Sequence, residues 1–256
     1  LKGHASSVNR LSWQPDGRHL ASAGDDASVR IWDPFRPEPA ATRPQHKDRV
    51  QALAWRPDGR VVVSGGGYKD QTLKVWDGAT GKLLQTIPGH NTNIEALAFS
   101  PDGAILACGA KLQHVKGQRI TLWDTSTWRL IGTAKYPSEY MYDVVSVAFS
   151  PDGKLVAGGS SDCLVFVWHT KSRRRKYVLK GHKQRYAINI QVAFTRDGKI
   201  LITGGHQDGL VKFWDVANGE ELATLPGKNN AGALRVSPDG ARLLVAGGEL
   251  QVWDVQ

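Results

Sequence analysis

The pattern of hydrophobic and polar positions predicts short strands, and one stretch of it recurs along the chain. Apolar and polar residues alternate at Leu73-Lys74-Val75 and end in Trp76-Asp77. The tryptophans of the six copies stand at positions 32, 76, 123, 168, 214 and 253, which are 44, 47, 45, 46 and 39 residues apart. A repeated period of this length indicates a repeat array in which each unit packs on its neighbours.

Each repeat predicts four strands. The first strands run from Val8 to Trp13, Val50 to Trp55, Ile94 to Phe99, Val144 to Phe149, Ile190 to Phe194 and Leu234 to Val236. A Pro-Asp-Gly turn follows at 15–17, 57–59, 101–103, 151–153 and 238–240, and Arg196-Asp197-Gly198 takes its place in the fifth repeat. Proline presets φ and glycine accepts φ > 0, so the tripeptide favours a hairpin. A small-residue strand, the Trp-Asp strand and a fourth strand complete the unit; fourth strands are expected at 83–87, 129–133, 176–179 and 221–225.

No long segment has helical periodicity, so the chain is predicted to be all-β. Evenly spaced short strands with a repeated motif indicate four-stranded blades arranged radially. We expect one domain over residues 1–256, with repeats ending near 33, 77, 124, 169, 215 and 254.

The composition indicates which class of partner and which cellular environment suit the chain. Lys and Arg number 33 against 24 Asp and Glu, and the net charge of +9 favours acidic partners. The two cysteines, Cys108 and Cys163, lie in different repeats, which suits a reducing compartment. No apolar run approaches the ~18 residues of a membrane span. We expect a cytoplasmic protein with no membrane span.

Further recurring residues make the chain resemble the WD-repeat β-propeller family. A Gly-His pair precedes the first strand at Gly3-His4, Gly89-His90 and Gly181-His182, and an Asp stands six residues before Trp in four repeats. The resemblance implies a propeller with six visible four-stranded blades, or seven if an upstream repeat is missing. The regular Pro-Asp-Gly turns are similar to those of bacterial WD-repeat proteins, which implies that the chain is part of a larger multidomain protein.

The resemblance also implies a buried hydrogen-bonded network of His, Ser or Thr, Asp and Trp in each regular blade. The matching sets are His4, Ser22, Asp26 and Trp32; His46, Ser64, Asp70 and Trp76; and His182, Thr203, Asp208 and Trp214. A buried indole N–H and imidazole need partners, and a satisfied network fixes the blade. Because the set occurs three times, we interpret it as structural; catalysis would need one specialised constellation. We therefore expect a non-enzymatic protein with no metal and no cofactor, and an enzyme with a central-channel active site is the least favoured alternative.

Partner binding is predicted where the repeat departs from its pattern. Repeat 3 has Cys108 near the hydroxyl position, and repeat 4 lacks both Gly-His and the hydroxyl. Aromatic and basic residues cluster in the nearby loops and in matching loops of repeats 2 and 5, and Tyr and Met are enriched at interfaces. The candidates are Tyr68, Lys69, Lys111, His114, Lys116, Tyr136, Tyr140, Met141, Tyr142, Arg185 and Tyr186. Either they bind a protein or peptide, or the aromatics of repeat 4 fold back over the blade that lacks its His.

These residues predict a protein- or peptide-binding scaffold or sensor, whose partner could be another domain of the same polypeptide. The alternative is nucleic-acid binding through a basic segment in the turn after Trp168. This segment comprises Lys171, Arg173, Arg174, Arg175 and Lys176 and could hold phosphate groups. A solvated surface turn is the competing interpretation, because no aromatic stacking platform accompanies the charges.

Overall fold

The structure is a computed structural model that describes residues 2–36, 39–44, 46–88, 92–111, 120–134, 143–182, 189–226 and 231–255, with the backbone alone at 39–44 and 111. These residues form six small antiparallel sheets arranged as the blades of a six-bladed β-propeller. Five sheets have four strands each, and each follows chain order from its innermost strand outward. The part of the chain that the structure describes holds no apolar helix long enough to cross a membrane.

The strands of the first three blades are as follows. Blade 1 contains β1 (Val8–Trp13), β2 (Leu20–Gly24), β3 (Ser28–Trp32) and β4 (Pro39–Pro44). Blade 2 contains β5 (Val50–Trp55), β6 (Val61–Gly66), β7 (Leu73–Asp77) and β8 (Leu83–Ile87). Blade 3 contains β9 (Asn93–Phe99), β10 (Ile105–Lys111), β11 (Ile120–Asp124) and β12 (Arg129–Ala134).

The remaining blades follow the same order. Blade 4 contains β13 (Val144–Phe149), β14 (Leu155–Ser160), β15 (Leu164–His169) and β16 (Arg175–Lys180). Blade 5 contains β17 (Ile190–Phe194), β18 (Ile200–Gly205), β19 (Leu210–Asp215) and β20 (Glu221–Pro226). Blade 6 contains β21 (Ala233–Val236), β22 (Arg242–Ala246) and β23 (Leu250–Asp254), and Lys2 lies outside the strands.

The Pro-Asp-Gly turns join the first two strands of a blade as the sequence predicts. In blade 1, Gly17 adopts φ 74°, a left-handed conformation that glycine accepts without strain. Its N–H donates to the Gln14 carbonyl at 2.9 Å, and the Asp16 carboxylate accepts from the Arg18 N–H at 3.0 Å. The turn therefore satisfies its own polar groups and fixes the register of β1 against β2.

Five apolar clusters join the blades in chain order, from the blade 1–blade 2 boundary to the blade 5–blade 6 boundary. At the first boundary, Val29 and Ile31 of β3 pack with Leu53 and Trp55 of β5. Alternate residues of a strand point to opposite faces, so one set packs on the preceding blade and the other on the following blade. Within the described residues, none of the clusters joins blade 6 to blade 1.

The all-β propeller predicted from the sequence is confirmed, and its first strands match the structure to within a residue. The strand at Pro39–Pro44 was missed, and blade 6 has three strands among the described residues rather than four. The basic segment was placed in a turn, with a fourth strand expected from Lys176, but β16 begins one residue earlier and so includes Arg175 as well. Arg175 pairs with Trp168 of β15 next to a β-bulge, and this pairing places Arg175 in the sheet.

Candidate functional site

The blade 2 network is centred on the Ser64 hydroxyl. Trp76 Nε1 donates to Ser64 Oγ at 2.8 Å, and His46 Nε2 lies 2.7 Å from the same oxygen. His46 Nδ1 lies 3.2 Å from Asp70 Oδ1, and all four side chains lie at the interface between the strands and the loop before β5. A neutral His46 with its proton on Nδ1 lets Ser64 donate to Nε2 while accepting from the indole, which satisfies both the hydroxyl and the indole N–H.

The same arrangement recurs in blades 1 and 5. In blade 1, Trp32 Nε1 donates to Ser22 Oγ at 2.8 Å, and His4 Nε2 lies 2.6 Å from that oxygen. His4 Nδ1 lies 3.0 Å from Asp26. In blade 5 the corresponding distances are 2.9 Å from Trp214 Nε1 to Thr203 Oγ1, 2.8 Å from His182 Nε2 to Thr203 Oγ1, and 2.8 Å from His182 Nδ1 to Asp208 Oδ2.

Burial and hydrogen bonding shift the pKa values of the networks. Burial lowers the pKa of His46, and this effect exceeds the opposing influence of Asp70. For Asp70, burial acts to raise the pKa, but hydrogen bonds from His46, Thr72 and the Lys47 N–H hold it well below its usual range. The pair is thus a neutral imidazole beside a carboxylate, which is a structural hydrogen-bond arrangement.

Blades 3 and 4 replace the central hydroxyl in different ways. Cys108 occupies the position in blade 3, where burial raises the thiol pKa, and Trp123 Nε1 donates instead to Thr121 Oγ1 at 2.9 Å. The sequence analysis did not predict Thr121 as the partner of the indole. The feature that could have indicated it is a threonine two residues before the tryptophan on the same strand. Gly158 occupies the position in blade 4, and Phe166 stacks on Trp168 with ring centroids 5.8 Å apart.

A central channel of about 730 Å³ is lined by the innermost strands of all six blades. Its charged lining residues are Arg10 of blade 1 and Arg235 of blade 6. Burial lowers the pKa of Arg235, and Arg10 acts in the same direction, so the two guanidinium groups repel each other. Arg10 Nη1 donates to the Asn9 carbonyl at 3.0 Å and Arg235 Nη1 to the Leu234 carbonyl at 2.7 Å. Both charged lining residues are therefore cationic, and the Glu95 carboxylate of β9 lies near enough to Arg10 to oppose the lowering of its pKa by burial.

The loop between β6 and β7 displays an aromatic side chain on a rigid support. Tyr68 is 52% exposed, and Lys69 beside it is also exposed. The Lys69 N–H donates to Asp48 Oδ2 at 2.9 Å, and the Gly67 N–H donates to the Arg49 carbonyl at 2.8 Å. We call the face that bears this loop, and the equivalent second-to-third-strand loops, the upper face.

The basic segment is only partly available to a ligand. Lys171, Arg174 and Arg175 are exposed. A Cβ on Gly132 would come within 2.9 Å of Arg173 Nε, so the Arg173 side chain covers that glycine. Lys176 Nζ donates to the Val216 carbonyl at 2.8 Å. Three of the five predicted cations therefore project into solvent from the face opposite the upper face.

Comparison with known families agrees with this geometry. The family model described as "WD domain, G-beta repeat" matches residues 1–33, 37–77, 81–124, 137–169 and 173–215. The chain belongs to the WD-repeat family. The matches end at residue 215, so blade 6 lies outside them.

Several curated proteins resemble the WD-repeat chain over about half of its length. Nuclear distribution protein PAC1 of Arthroderma otae is 31% identical over 145 residues, which is 52% of this chain and 31% of that protein. Autophagy-related protein 16 of Arabidopsis thaliana is 30% identical over 54% of this chain and 26% of that protein. Small ribosomal subunit protein RACK1 of Caenorhabditis elegans is 32% identical over 44% of this chain and 34% of that protein. The matched region spans about a third or less of each relative.

These relatives are eukaryotic, so they give no support to a bacterial-type WD-repeat protein or to attached further domains. Of the predicted partner-binding residues, the structure describes Tyr68 and Lys69 fully and the backbone of Lys111. His114, Lys116, Tyr136, Tyr140, Met141, Tyr142, Arg185 and Tyr186 lie outside the described residues. Within the described part of the chain, no group of three or more His, Cys, Asp or Glu side chains could hold a metal ion.

Proposed function

We propose that this WD-repeat propeller is a non-catalytic scaffold or sensor that binds a protein or peptide on its upper face, as a region of a larger protein. The observation that carries the proposal is the exposed Tyr68 side chain on a loop held by backbone hydrogen bonds. A rigid aromatic contributes contact area at little entropic cost, and tyrosine is enriched among residues that dominate binding energy.

The relatives support an interaction role. Their names assign them to nuclear distribution, to autophagy and to the small ribosomal subunit, and WD-repeat relatives of this kind point to protein-interaction scaffolds. These relatives share the WD-repeat propeller with this chain, but their names refer to three different cellular processes. We therefore transfer only the general role of a binding platform to this chain.

The chemistry of the described residues supports a role without catalysis. The His–Asp–hydroxyl sets occur in three blades, are largely buried and are engaged with the indole of the same blade. The channel wall offers Arg10 and Arg235, which remain protonated and cannot serve as general bases. A reaction would require an acid, a base and a substrate site that converge at one place.

The test compares two exposed aromatic residues on opposite faces. Tyr68→Ala removes the upper-face aromatic, whereas Phe35→Ala removes one that is 91% exposed in the turn after β3. The wild-type chain would first be cross-linked in lysate to identify a partner, whose Kd would then be measured with all three purified chains. We expect Tyr68→Ala to weaken binding at least tenfold, with Tm unchanged in both variants. Equal affinities of all three chains would rule out the upper face around Tyr68.

Nucleic-acid binding through the basic segment is the second candidate. Arg173 holds a left-handed conformation (φ 57°) at the turn position where blades 2 and 5 have Gly81 and Gly219. An arginine at a position where glycine is conformationally easier supports a role for its side chain. Binding of this kind must weaken steeply with salt, by about tenfold or more between 50 and 200 mM for a few phosphate contacts. Affinity for RNA or DNA that is flat over this range would reject the candidate.

A further inference from the structure

Arg10 stands in a layer of the central channel where the other blades carry smaller side chains. It pairs with Ala23, which pairs with Val29, three residues before Trp32. The residues at the same register in the other blades are Ala52, Ala96, Ser146, Gln191 and Ala233. The channel is therefore open around a single long cationic side chain in this layer.

Arg235 is the single large residue of a second layer. It pairs with Leu244, which pairs with Val252, one residue before Trp253. The residues at the same register in the other blades are Ser12, Ala54, Ala98, Ala148 and Ala193. The two arginine layers are two residues apart along the strands, which is about 7 Å, so both side chains can reach one ligand.

Most hydrogen-bond donors of these two arginines are available in the channel. A guanidinium has five N–H donors, whereas Arg10 and Arg235 each donate to one backbone carbonyl. Neither forms an ion pair with a carboxylate of the described residues, and Glu95, which attracts Arg10, lies outside the channel lining. By contrast, several arginines on the outer surface have a carboxylate oxygen within 4.0 Å: Arg18, Arg30, Arg36, Arg56, Arg60 and Arg242.

The channel also holds these charges in a partly dry place. Both side chains are exposed to the channel, yet the surrounding protein is close enough that burial lowers the pKa of each. Arg10 lowers the pKa of Arg235 further, because the two positive charges repel. An anion bound beside both groups would offset this repulsion, and its attraction to them is stronger where protein replaces water.

An aromatic layer lies directly next to the Arg235 layer. It follows the Ser12 register by one residue in five blades and lines the same channel, and its members are Trp13, Trp55, Phe99, Phe149 and Phe194. Phe99 and Phe149 are half-buried, so part of each ring faces the channel. The channel thus combines cationic groups with an apolar surface, in a volume of about 730 Å³ that is typical of small-molecule sites.

We propose that the central channel binds a small organic anion, whose carboxylate or phosphate group is held by Arg10 and Arg235 and whose apolar body packs on the aromatic layer. The planar guanidinium fork matches the oxygens of either anionic group. Enclosure by the innermost strands of the blades favours a small ligand over a folded partner. The site is separate from the upper-face loop, because Tyr68 does not line the channel.

The experiment is isothermal titration calorimetry with phenyl phosphate, phenylacetate and uncharged benzyl alcohol. The chains are the wild type, Arg10→Met, Arg235→Met and the control Arg60→Met, which removes the same charge from a side chain that is 82% exposed. We expect the wild type and Arg60→Met to bind at least one of the two anions equally well. Each channel variant should weaken that binding about tenfold or more, because a charge-assisted hydrogen bond is lost. The stronger of the two anions identifies phosphate or carboxylate as the preferred group.

Thermal unfolding separates a binding role from a structural one. Arg10→Met and Arg235→Met should leave Tm unchanged or raise it, because each removes one of two like charges that repel. Arg10→Lys and Arg235→Lys keep the charge but lose the planar fork, and they should weaken binding of the anion by roughly threefold or more. If a methionine variant does not fold, the lysine variant at the same position decides.

Three results would overturn the proposal. The first is that neither anion binds the wild-type chain at millimolar concentration. The second is equal affinity of the wild-type and channel variants, which would place the anion elsewhere, such as on the exposed basic segment. The third is binding of benzyl alcohol as tight as that of the anions. None of these results bears on the proposed function, because its test measures how Tyr68→Ala changes the affinity for a protein partner.

Discussion

At the scale of single residues, one hydroxyl oxygen in each regular blade joins three elements. Ser64 Oγ contacts the Trp76 indole and the His46 imidazole, and Asp70 ties the histidine to the hairpin through the Thr72 and Lys47 N–H groups. The loop before the first strand is thereby fixed to the second and third strands of its blade. A group with two buried partners is costly to remove, since both partners lose a hydrogen bond in a place that water does not reach.

Ser64→Ala should therefore lower the free energy of unfolding by about 2–4 kcal/mol, because it leaves a buried indole N–H and a buried imidazole nitrogen unsatisfied. Urea denaturation monitored by circular dichroism would measure the loss. Ser172→Ala, at an exposed turn position, is the control and should change stability by less than about 0.5 kcal/mol. Equal losses in the two variants would contradict the structural role of the network.

His46 should also make stability depend on pH. Burial lowers its pKa in the folded protein, whereas an unfolded histidine has a pKa of about 6.5, so the unfolded state binds more protons below that pH. The free energy of unfolding should fall as pH decreases from about 6.5. Protonation of Asp26 and Asp70, whose pKa values are lowered by hydrogen bonds that outweigh burial, should deepen the loss below about pH 4.

The measurement is a series of urea midpoints from pH 8 to pH 4.5 for the wild-type chain and His46→Asn. The variant should show a shallower slope between pH 6.5 and pH 5, whatever its stability at pH 8. If the urea midpoints of the two chains fall in parallel as pH decreases, groups other than His46 cause the loss of stability at acidic pH.

At the scale of structural elements, the turns carry most of the backbone strain. The residue after the network Asp has positive φ in four blades: Ala27, Gln71, Cys163 and Gly209. Only blade 5 uses glycine there, which is the residue that adopts this conformation without a Cβ clash. Non-glycine residues also adopt positive φ in the turns between the third and fourth strands. Trp128 and Arg173 stand there at the position that glycine occupies in blades 2 and 5.

Gln71→Gly should stabilise the chain by about 0.5–1 kcal/mol, because relief of the left-handed strain exceeds the entropy that glycine adds to the unfolded state. Ala79→Gly is the matched control in a nearby exposed turn and should destabilise by a similar amount. Thermal and urea unfolding would measure both. A loss of stability in Gln71→Gly would show that its side chain makes contacts that outweigh the strain.

The elements also show what the sequence could predict. Alternation and Pro-Asp-Gly turns located the first strands because a half-buried strand needs that pattern to pack. Pro39–Pro44 was missed because its two prolines lower strand propensity, yet β4 is an outer strand, where prolines are tolerated. Thr121 was missed because the expectation required a hydroxyl on the second strand rather than the third. Which loop residues bind a partner remains a prediction, since periodicity reports packing and not recognition.

At the scale of the whole molecule, stability should be unequal among the blades. An inner blade packs on two neighbours, whereas blade 1 and blade 6 each have one exposed apolar side, and blade 6 has three strands among the described residues. In a repeat array, the stability of a unit is approximately its own contribution plus its neighbour interfaces. Units that lack one interface open first and exchange their amide hydrogens faster.

Hydrogen exchange followed by mass spectrometry should resolve this difference. Peptides from β22 and β23 should exchange fastest, those from β2 and β3 next, and those from β6 and β7 slowest, because blade 2 is bounded on both sides. The β2 and β6 peptides form a matched pair, since both strands end in small residues and both carry the network serine. Equal protection of the two would mean that the blades open as one cooperative unit. That outcome requires energetic coupling between blade 6 and blade 1 that the five described clusters do not supply.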